Sequence, residues 1–192
     1  MLRDRGYTVS DQSCNQSLDE FKSGFNGQRE SLNMLFQKPD SDSQMTDTIQ
    51  INDNKILVFY PSDDKVGSNV IKQIAQKMCE LNVLISIVVI KSSTNIARKE
   101  LDSLYPCRIE LFEQDELMVN ITEHDLVPSH SVLSTEQKAE LLKKYRVKDF
   151  QLPKIMVEDP IARYLGVRKG QVIKIVRASE TAGRYVTYRL TY

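Results

Sequence analysis

Residues 83–90 read VLISIVVI, the longest apolar run of the chain. Ser86 is its one polar interruption. A nearly continuous apolar strand is typical of a parallel sheet whose two faces are both covered, because the side chains then point into apolar layers on either side. The run therefore predicts a buried central strand.

A second buried strand and a helix precede this run. Residues 56–60 read ILVFY and are closed by Pro61, as expected of a strand that ends in a turn. Between the two strands, apolar residues recur at intervals of three and four and predict one face of a helix: Val70, Ile71, Ile74, Met78 and Leu81. Two buried strands joined by a helix form a parallel pair with a right-handed crossover.

The same alternation continues on both sides of this unit. A second helix is expected from near Ser93 to before Pro106, followed by an alternating strand over residues 107–112. Ser17 and Glu20 have the spacing of a capping box, and residues 31–36 favour a short strand. We expect residues 1–120 to form an α/β domain with a mixed sheet and flanking helices.

The last 72 residues show a different pattern of predicted helices and strands. Ser134 and Gln137 form a capping box that opens a helix to about Tyr145, and its inward face is expected to carry Ala139, Leu142 and Tyr145. Asp159-Pro160 opens a shorter helix that Gly166 ends. Residues 171–177 and 184–190 are strand-like and are joined by a turn. Residues 121–192 are therefore expected to form a small α+β domain with its own core.

Composition and residue spacing argue against a membrane protein and against a metal or catalytic site. Hydrophobic residues make up 41% of the chain, and no apolar run reaches the roughly 18–20 residues of a membrane span, so we expect a soluble intracellular protein. Cys14, Cys79, Cys107, His124 and His130 show no spacing typical of a metal or catalytic site, so no cofactor and no catalytic residue is expected.

The zero net charge hides an asymmetry between the two halves. Residues 1–120 carry 13 basic and 18 acidic side chains, whereas residues 121–192 carry 13 and 8. A basic tail favours an acidic partner, although an excess of this size is also common on solvated surfaces.

Five ordered motifs in the last domain carry a family resemblance: HDLVPSH at 124–130, QLPKI at 151–155, DPIARYLG at 159–166, RKGQV at 168–172 and RASETAGRYVTYR at 177–189. They resemble the assembly domain of the common subunit shared by eukaryotic RNA polymerases I, II and III, a domain that has a counterpart in the archaeal RNA polymerase. Residues 1–120 resemble the family's jaw domain more loosely, through RDRGY at 3–7, LDEF at 18–21, FYP at 59–61, KVG at 65–67 and NITEH at 120–124.

The sequence departs from the family pattern in two places. The chain starts partway through the family's first helix, and Thr94-Asn95-Ile96-Ala97 stands where the family has Thr-Pro-Ser-Ala. Contacts that the family makes through that segment are therefore an open question here.

The resemblance implies a non-catalytic nuclear subunit of a DNA-directed RNA polymerase. Its last domain would dock on the largest subunit for assembly, and its jaw domain would lie near downstream duplex DNA and help hold it during transcription. The jaw would have a nuclease-like topology without nuclease activity. No cofactor, membrane or small-molecule substrate is implied.

The expected DNA contacts go to phosphates and cluster after the central strand. A helix that begins there presents backbone N–H groups to anions, and hydroxyl and basic side chains add to this. The expected contact residues are Lys91, Ser93, Thr94, Arg98 and Lys99. An ordinary helix cap with solvated lysines is the alternative.

The expected partner interface follows the family motifs of the last domain. Its residues offer hydrogen bonds and charges, although turns and local structure also explain several of them: Pro128, His130, Arg163, Tyr164, Arg168, Lys169, Ser179, Glu180, Thr181 and Arg184. Arg184 and Glu180 are the first choices for partner contacts.

Two other functions are compatible with the sequence. Asp40, Asp53 and Lys55 fit the loose template of a metal-dependent nuclease, in which two carboxylates hold magnesium, although that template is short and tolerates gaps. A free-standing transcription adaptor related to the polymerase subunit is the second alternative.

Overall fold

The computed structural model describes residues 1–39, 54–63, 65–94, 101, 104, 107–181 and 183–192. The chain divides into two compact units. The first unit comprises Gly6–Val119 together with Leu2, and the second comprises Asn120–Tyr192 together with Met1 and Arg3–Arg5. The sequence predicts a domain boundary between residues 120 and 121, and this boundary stays a prediction.

The strands of the first unit are β1 (Met34–Gln37), β2 (Lys55–Phe59), β3 (Lys65–Val66), β4 (Ile85–Ile90), β5 (Ser92–Ser93) and β6 (Arg108–Glu113). Four of them form a sheet in the order β1-β2-β4-β6. Strand β1 is antiparallel to β2, whereas β2, β4 and β6 are mutually parallel. This mixed sheet and the parallel β2–β4 pair confirm the α/β prediction.

The helices described in the first unit are α1 (Asp11–Cys14), α2 (Leu18–Gly24), α3 (Ser68–Glu80) and α4 (Gln114–Leu117), with a 3₁₀ turn at Arg29–Leu32. The capping box of Ser17 and Glu20 opens α2, as predicted. Helix α3 buries Ile71, Ile74 and Met78 of the predicted apolar face, whereas Leu81 follows the helix and is 50% exposed. No helix of the described ranges is long and apolar enough to cross a membrane.

The core of the first unit lies between α3 and the sheet. It contains ten buried side chains: Leu57, Phe59, Val66, Ile71, Ile74, Met78, Val83, Val88, Ile90 and Ile109. Strand β4 is buried from Ser86 to Ile90, as its sequence predicts. Strand β6 buries Ile109 and Phe112, which point to opposite faces, so it is less exposed than its alternating sequence suggested.

The predicted second helix includes Leu101, which is helical, but it does not begin at Ser93 itself. Ser92–Ser93 forms β5, which pairs in parallel with β3. The backbone N–H of Thr94 then bonds to the carbonyl oxygen of Val66 at 3.4 Å, which continues the extended pairing past β5. Residues 95–100 lie outside the described residues.

The second unit contains β7 (Ser129–Val132), α5 (Thr135–Tyr145), β8 (Lys154–Ile155), α6 (Pro160–Leu165), β9 (Val172–Ser179) and β10 (Gly183–Thr191). Its sheet has the order β7-β9-β10-β8, with β8 parallel to β10 and the other pairs antiparallel. Short 3₁₀ turns occupy Ile121–Glu123 and Asp149–Gln151. This architecture agrees with the α+β prediction.

Both predicted helix starts of the second unit are present. Ser134 and Gln137 form the capping box of α5, and the Asp159 carboxylate caps α6 ahead of Pro160. The inward face of α5 was predicted wrongly, because its buried residue is Leu141 and not Ala139, Leu142 or Tyr145. Only a narrow stripe of this helix is buried, so its few apolar side chains do not determine which face packs.

Candidate interaction surface

A groove of about 500 Å³ lies on one face of the second unit's sheet. Residues of β7, β8, β9 and β10, of the start of α6 and of two loops line it: Pro128, His130, Pro153, Ile155, Asp159, Ile161, Ile175, Arg177, Tyr185, Thr187 and Arg189. A groove of this size accommodates a side chain or a short extended segment of a ligand.

Strand register explains why these side chains meet. His130 pairs with Ile175, which pairs with Thr187 on the next strand, so the three form a row across the sheet. Arg177 and Tyr185 form the next row. Because side chains alternate between the two faces of a strand, residues 185, 187 and 189 all face the groove side.

The groove combines an apolar floor with a cationic rim. Ile155 and Ile175 are buried beneath it, whereas Arg177 and Arg189 are exposed. The Arg177 guanidinium lies 4.6 Å from the ring centroid of Tyr185, a cation–π arrangement that holds both side chains at the rim.

Two lining residues are held by local hydrogen bonds. Asp159 accepts the Ile161 N–H at 3.0 Å as the cap of α6, which leaves its charge partly engaged. His130 Nδ1 donates to the Pro128 carbonyl oxygen at 2.6 Å. These bonds fix one wall of the groove, and they place the predicted interface residues Pro128 and His130 within it.

Arg163 and Tyr164 hold the amino-terminal residues of the same unit. Arg5 Nε donates to the Tyr164 carbonyl oxygen at 2.8 Å, and Arg5 Nη2 donates to the Arg163 carbonyl oxygen at 2.6 Å. These carbonyls end α6, where a cation is favoured. The main-chain carbonyls of Arg163 and Tyr164 therefore hold the amino-terminal segment in place within this unit.

The Tyr164 side chain adds a second link to this segment. Its hydroxyl donates a hydrogen bond to the Asp4 carboxylate, which lowers the pKa of Asp4. Burial, followed by this hydrogen bond, raises the pKa of Tyr164. A Cβ added to Gly166 would lie 2.7 Å from the Arg5 guanidinium carbon, so Gly166 also makes room for the segment.

Arg168 and Lys169 lie in an exposed turn outside the groove lining. The Arg168 N–H donates to Gln171 Oε1 at 2.7 Å, and Gly170 N–H donates to the Thr191 carbonyl oxygen at 2.9 Å. The backbone of this turn is thus fixed to the end of β10, while Arg168 and Lys169 are exposed.

Ser179, Glu180, Thr181 and Arg184 lie at the tip of the β9–β10 hairpin. The hydroxyls of Ser179 and Thr181 are 3.3 Å apart, and Glu180, Thr181 and Arg184 are exposed. Arg184 precedes Tyr185 on β10, so it faces the other side of the sheet from the groove. The predicted interface residues therefore do not form one continuous site.

The expected DNA-contact residues are only partly described. Lys91 follows β4 and is exposed, and the Thr94 hydroxyl lies 3.4 Å from the Val66 carbonyl oxygen. Ser93 is part of β5 and therefore does not start a helix, and the phosphate contacts of Ser93 and Thr94 stay a prediction. Arg98 and Lys99 lie outside the described residues.

The nuclease template also falls largely outside the described residues, because Asp40 and Asp53 do. Within the described part of the chain, no group of three or more His, Cys, Asp or Glu side chains could hold a metal ion.

Sequence reasoning missed most of the groove. Asp159, Ile161, Arg177, Tyr185, Thr187 and Arg189 line it but were not among the predicted interface residues. The alternation of residues 185, 187 and 189 was a usable signal, because it places a polar or aromatic row on one face. The sequence does not reveal the strand order, which places Arg177 and His130 on that same face.

Comparisons with known proteins agree over nearly the whole chain. Residues 1–78 match the N-terminal domain of RNA polymerase Rpb5, and residues 119–191 match its C-terminal domain. The chain is 46% identical to the "DNA-directed RNA polymerases I, II, and III subunit RPABC1" of Caenorhabditis briggsae, over 99% of this chain and 90% of that protein. The Caenorhabditis elegans protein of that name gives the same values, and the Dictyostelium discoideum one is 39% identical over 99% and 91%.

Proposed function

The chain belongs to the family of the RNA polymerase subunit Rpb5, and we propose that it is a non-catalytic subunit of DNA-directed RNA polymerases. Its relatives are named as subunits that polymerases I, II and III share, which supports the same shared role and a nuclear location for this chain. The observation that carries the proposal is identity of 46% over almost its full length.

The second unit docks on other polymerase subunits, and the largest subunit is the expected partner. The groove supports this role because it joins an apolar floor to two arginines at the rim. An extended segment of the partner would place an apolar side chain over Ile155 and Ile175 and a carboxylate beside Arg177 or Arg189. Charge-assisted pairs of arginine with carboxylate are among the stronger hydrogen-bonded contacts at interfaces.

The hairpin tip and the neighbouring turn are a second proposed contact area. Glu180, Thr181 and Arg184 are exposed at the tip, and Arg168 and Lys169 are exposed in the turn. Only their exposure supports these residues as partner contacts, whereas the groove also has an apolar floor and a cationic rim. A charge reversal at Arg184 tests this area separately from the groove, because the two face opposite sides of the sheet.

The first unit lies near downstream DNA and helps hold it through phosphates. Lys91, exposed after the central strand, supports this proposal, and Arg98 and Lys99 add charge in the sequence. Replacing these three residues together should lower the salt dependence of DNA binding by the assembled polymerase, with little base preference. An unchanged salt slope would contradict DNA holding while leaving the subunit assignment intact.

Affinity purification of the tagged full chain from its own cells tests the subunit assignment. We expect both large polymerase subunits to co-elute in amounts comparable to the bait. Recovery of transcription factors without either large subunit would instead identify a free-standing adaptor. Arg184→Glu in the same assay reports on the hairpin: reduced recovery from a folded variant supports its contact, and normal recovery removes it.

A further inference from the structure

Two exposed aromatic side chains of the second unit each have a lysine at the ring. Tyr145 is the last residue of α5 and is 55% exposed, and Lys144 Nζ lies 5.9 Å from the centroid of its ring. Phe150 is 67% exposed, and Lys148 Nζ lies 6.0 Å from its ring centroid. Two exposed rings, each beside a cation, are thus carried by one short segment of the chain.

Strand β10 adds a third ring beside the first. The ring centroids of Tyr145 and Tyr188 are 6.2 Å apart, and the two rings are tilted by 54°. Lys174 pairs with Tyr188 across β9 and β10, so their side chains are neighbours on one face of the sheet. Because residues 185, 187 and 189 face the groove, Tyr188 and Lys174 lie on the opposite face. The basic aromatic surface consists of Lys144, Tyr145, Lys148, Phe150, Lys174 and Tyr188.

Backbone hydrogen bonds hold the turn that carries part of this surface. Arg146 follows α5 with a φ of 53°, and its N–H donates to the carbonyl oxygens of Leu142 and Lys143. The Val147 N–H donates to the same Leu142 carbonyl oxygen at 3.1 Å. These bonds satisfy the carbonyls that end the helix. The exposed side chains of the turn are therefore not needed to hold its shape.

The segment that contains this turn is strongly basic. Residues 143–150 read KKYRVKDF and hold four cations against one carboxylate. That carboxylate, Asp149, accepts a hydrogen bond from Lys138 Nζ at 2.5 Å, so its charge is already engaged. The four cations are all exposed: Lys143, Lys144, Arg146 and Lys148. A local excess of positive charge attracts an anionic partner.

The rings distinguish between the possible anionic partners. Duplex DNA would bring phosphates to the lysines, but its bases are stacked on one another and leave the rings uncovered. An acidic peptide would also meet the lysines alone. A single-stranded nucleic acid offers both a phosphate chain and unstacked bases, which stack on exposed aromatic side chains. We propose that the basic aromatic surface binds single-stranded nucleic acid, with bases on the rings and phosphates beside the lysines.

This activity differs from the proposed holding of duplex DNA by the first unit, and it does not depend on it. Base preference should be weak, because every base has an aromatic face that can stack. Affinity should fall steeply with salt, since each neutralised phosphate of a single strand contributes about 0.7 to the slope of log affinity against log salt concentration. Three lysines beside the rings predict a slope of about 2.

Fluorescence anisotropy with the purified full chain tests the proposal. The probe is a labelled strand of about 12 nucleotides and mixed sequence, and a duplex of the same length is the comparison. We expect the single strand to bind at least about tenfold more tightly than the duplex. Equal or tighter binding of the duplex, or no binding of the single strand at low salt, would overturn the proposal. If an acidic peptide of equal charge displaces the probe as well as an unlabelled strand does, the occupant is an acidic protein segment instead.

A pair of double variants assigns the binding to this surface. Lys148→Ala/Phe150→Ala removes one exposed ring and its cation, so the affinity for the strand should fall at least about tenfold and the salt slope should decrease. Lys154→Ala/Tyr192→Ala is the matched control, because Lys154 Nζ lies 5.6 Å from the ring centroid of the half-exposed Tyr192, outside the surface. The control should bind within about twofold of the unsubstituted chain. Equal losses in the two variants would contradict a site on this surface.

Discussion

The two units use their sheets in opposite ways. In the first unit, β4 is buried from Ser86 to Ile90, and its side chains enter packed layers. In the second unit, β10 is exposed over its first four residues, and Tyr185 on the groove side keeps 45% of its surface in solvent. The central strand of the first sheet is covered by its own chain, whereas the second sheet keeps an open face of the kind that a partner covers.

This difference shows where stability and interaction reside. Substitutions in the first unit should act mainly through packing, while substitutions on the open face of the second unit should act mainly through binding. The basic excess of residues 121–192 points the same way, because an exposed cationic rim favours an acidic partner.

The largest expected effect separates the two units by stability. Ile90 is 1% exposed in the core of the first unit, so Ile90→Ala should lower its free energy of unfolding by about 2–5 kcal/mol. Hydrogen exchange should accelerate over residues 6–119 and stay slow over residues 120–192. Leu81→Ala, at a half-exposed position, is the control. Equal acceleration in both units would mean that they unfold as one.

Alanine substitution of two glycines tests whether the amino-terminal segment stabilises the second unit. Gly166 and Gly170 both have positive φ, but only Gly166 faces the Arg5 guanidinium, whereas Gly170 meets open space. Both alanine variants should lose about 1 kcal/mol of stability to backbone strain. Gly166→Ala should lose more, because Arg5 must move.

Arg5→Ala provides the check on this reading. In that background, the extra cost of Gly166→Ala over Gly170→Ala should vanish in chemical denaturation. If the two glycine variants already cost the same in the unsubstituted chain, the Arg5 contact does not stabilise the second unit.

The Asp4–Tyr164 hydrogen bond should give the second unit an acid-sensitive contribution. The pKa of Asp4 is lowered in the fold, so its stabilisation is present above the ordinary value of 3.8 and is lost as the pH falls through the lower folded value. Tyr164→Phe should therefore lose stability near neutral pH and show a flatter acid limb. The loss should stay below about 1 kcal/mol, because Asp4 is half-exposed.

Thermal unfolding between pH 2 and pH 7 measures this difference. Asp4→Asn should reproduce the flatter limb and add little to Tyr164→Phe in the double variant, since both remove the same bond. Two independent, additive effects would contradict a shared interaction.

One buried hydroxyl in each unit gives a contrast in the sign of the effect. Ser86 Oγ has no hydrogen-bond partner within the described residues, whereas Thr191 Oγ1 is within 2.9 Å of the Gln171 carbonyl oxygen and also bonds to Arg168. Ser86→Ala should be neutral or stabilise by up to about 1 kcal/mol, and Thr191→Val should destabilise by about 1 kcal/mol. Urea unfolding of both variants checks the signs, and a destabilised Ser86→Ala would indicate a partner for that hydroxyl.

The sequence predicted those features that depend on local chemistry. The run 83–90, the apolar face of α3 and the caps at Ser17, Ser134 and Asp159 all formed as expected, because each rests on neighbouring residues. The pairing of Ser92–Ser93 with Lys65–Val66 could not be foreseen, since it depends on a distant strand.

The groove was hard to predict for the same reason. Its members come from four strands and one helix, and only the register of β7, β9 and β10 brings His130, Arg177 and Tyr185 to one face. The family motifs marked the correct part of the chain but did not distinguish residues that face outward from those, such as Tyr164, that hold the unit together.

We propose that the open face of the second unit binds other subunits of the polymerase. The direct test compares the recovery of the two large polymerase subunits by the tagged full chain and by its Arg177→Glu/Arg189→Glu variant, with Lys143→Glu/Lys144→Glu on α5 as the control of equal charge change. We predict that the groove variant, still folded, recovers at least about tenfold less of both subunits, while the control stays within about twofold of the unsubstituted chain. Equal recovery by the groove variant and the control would contradict the claim.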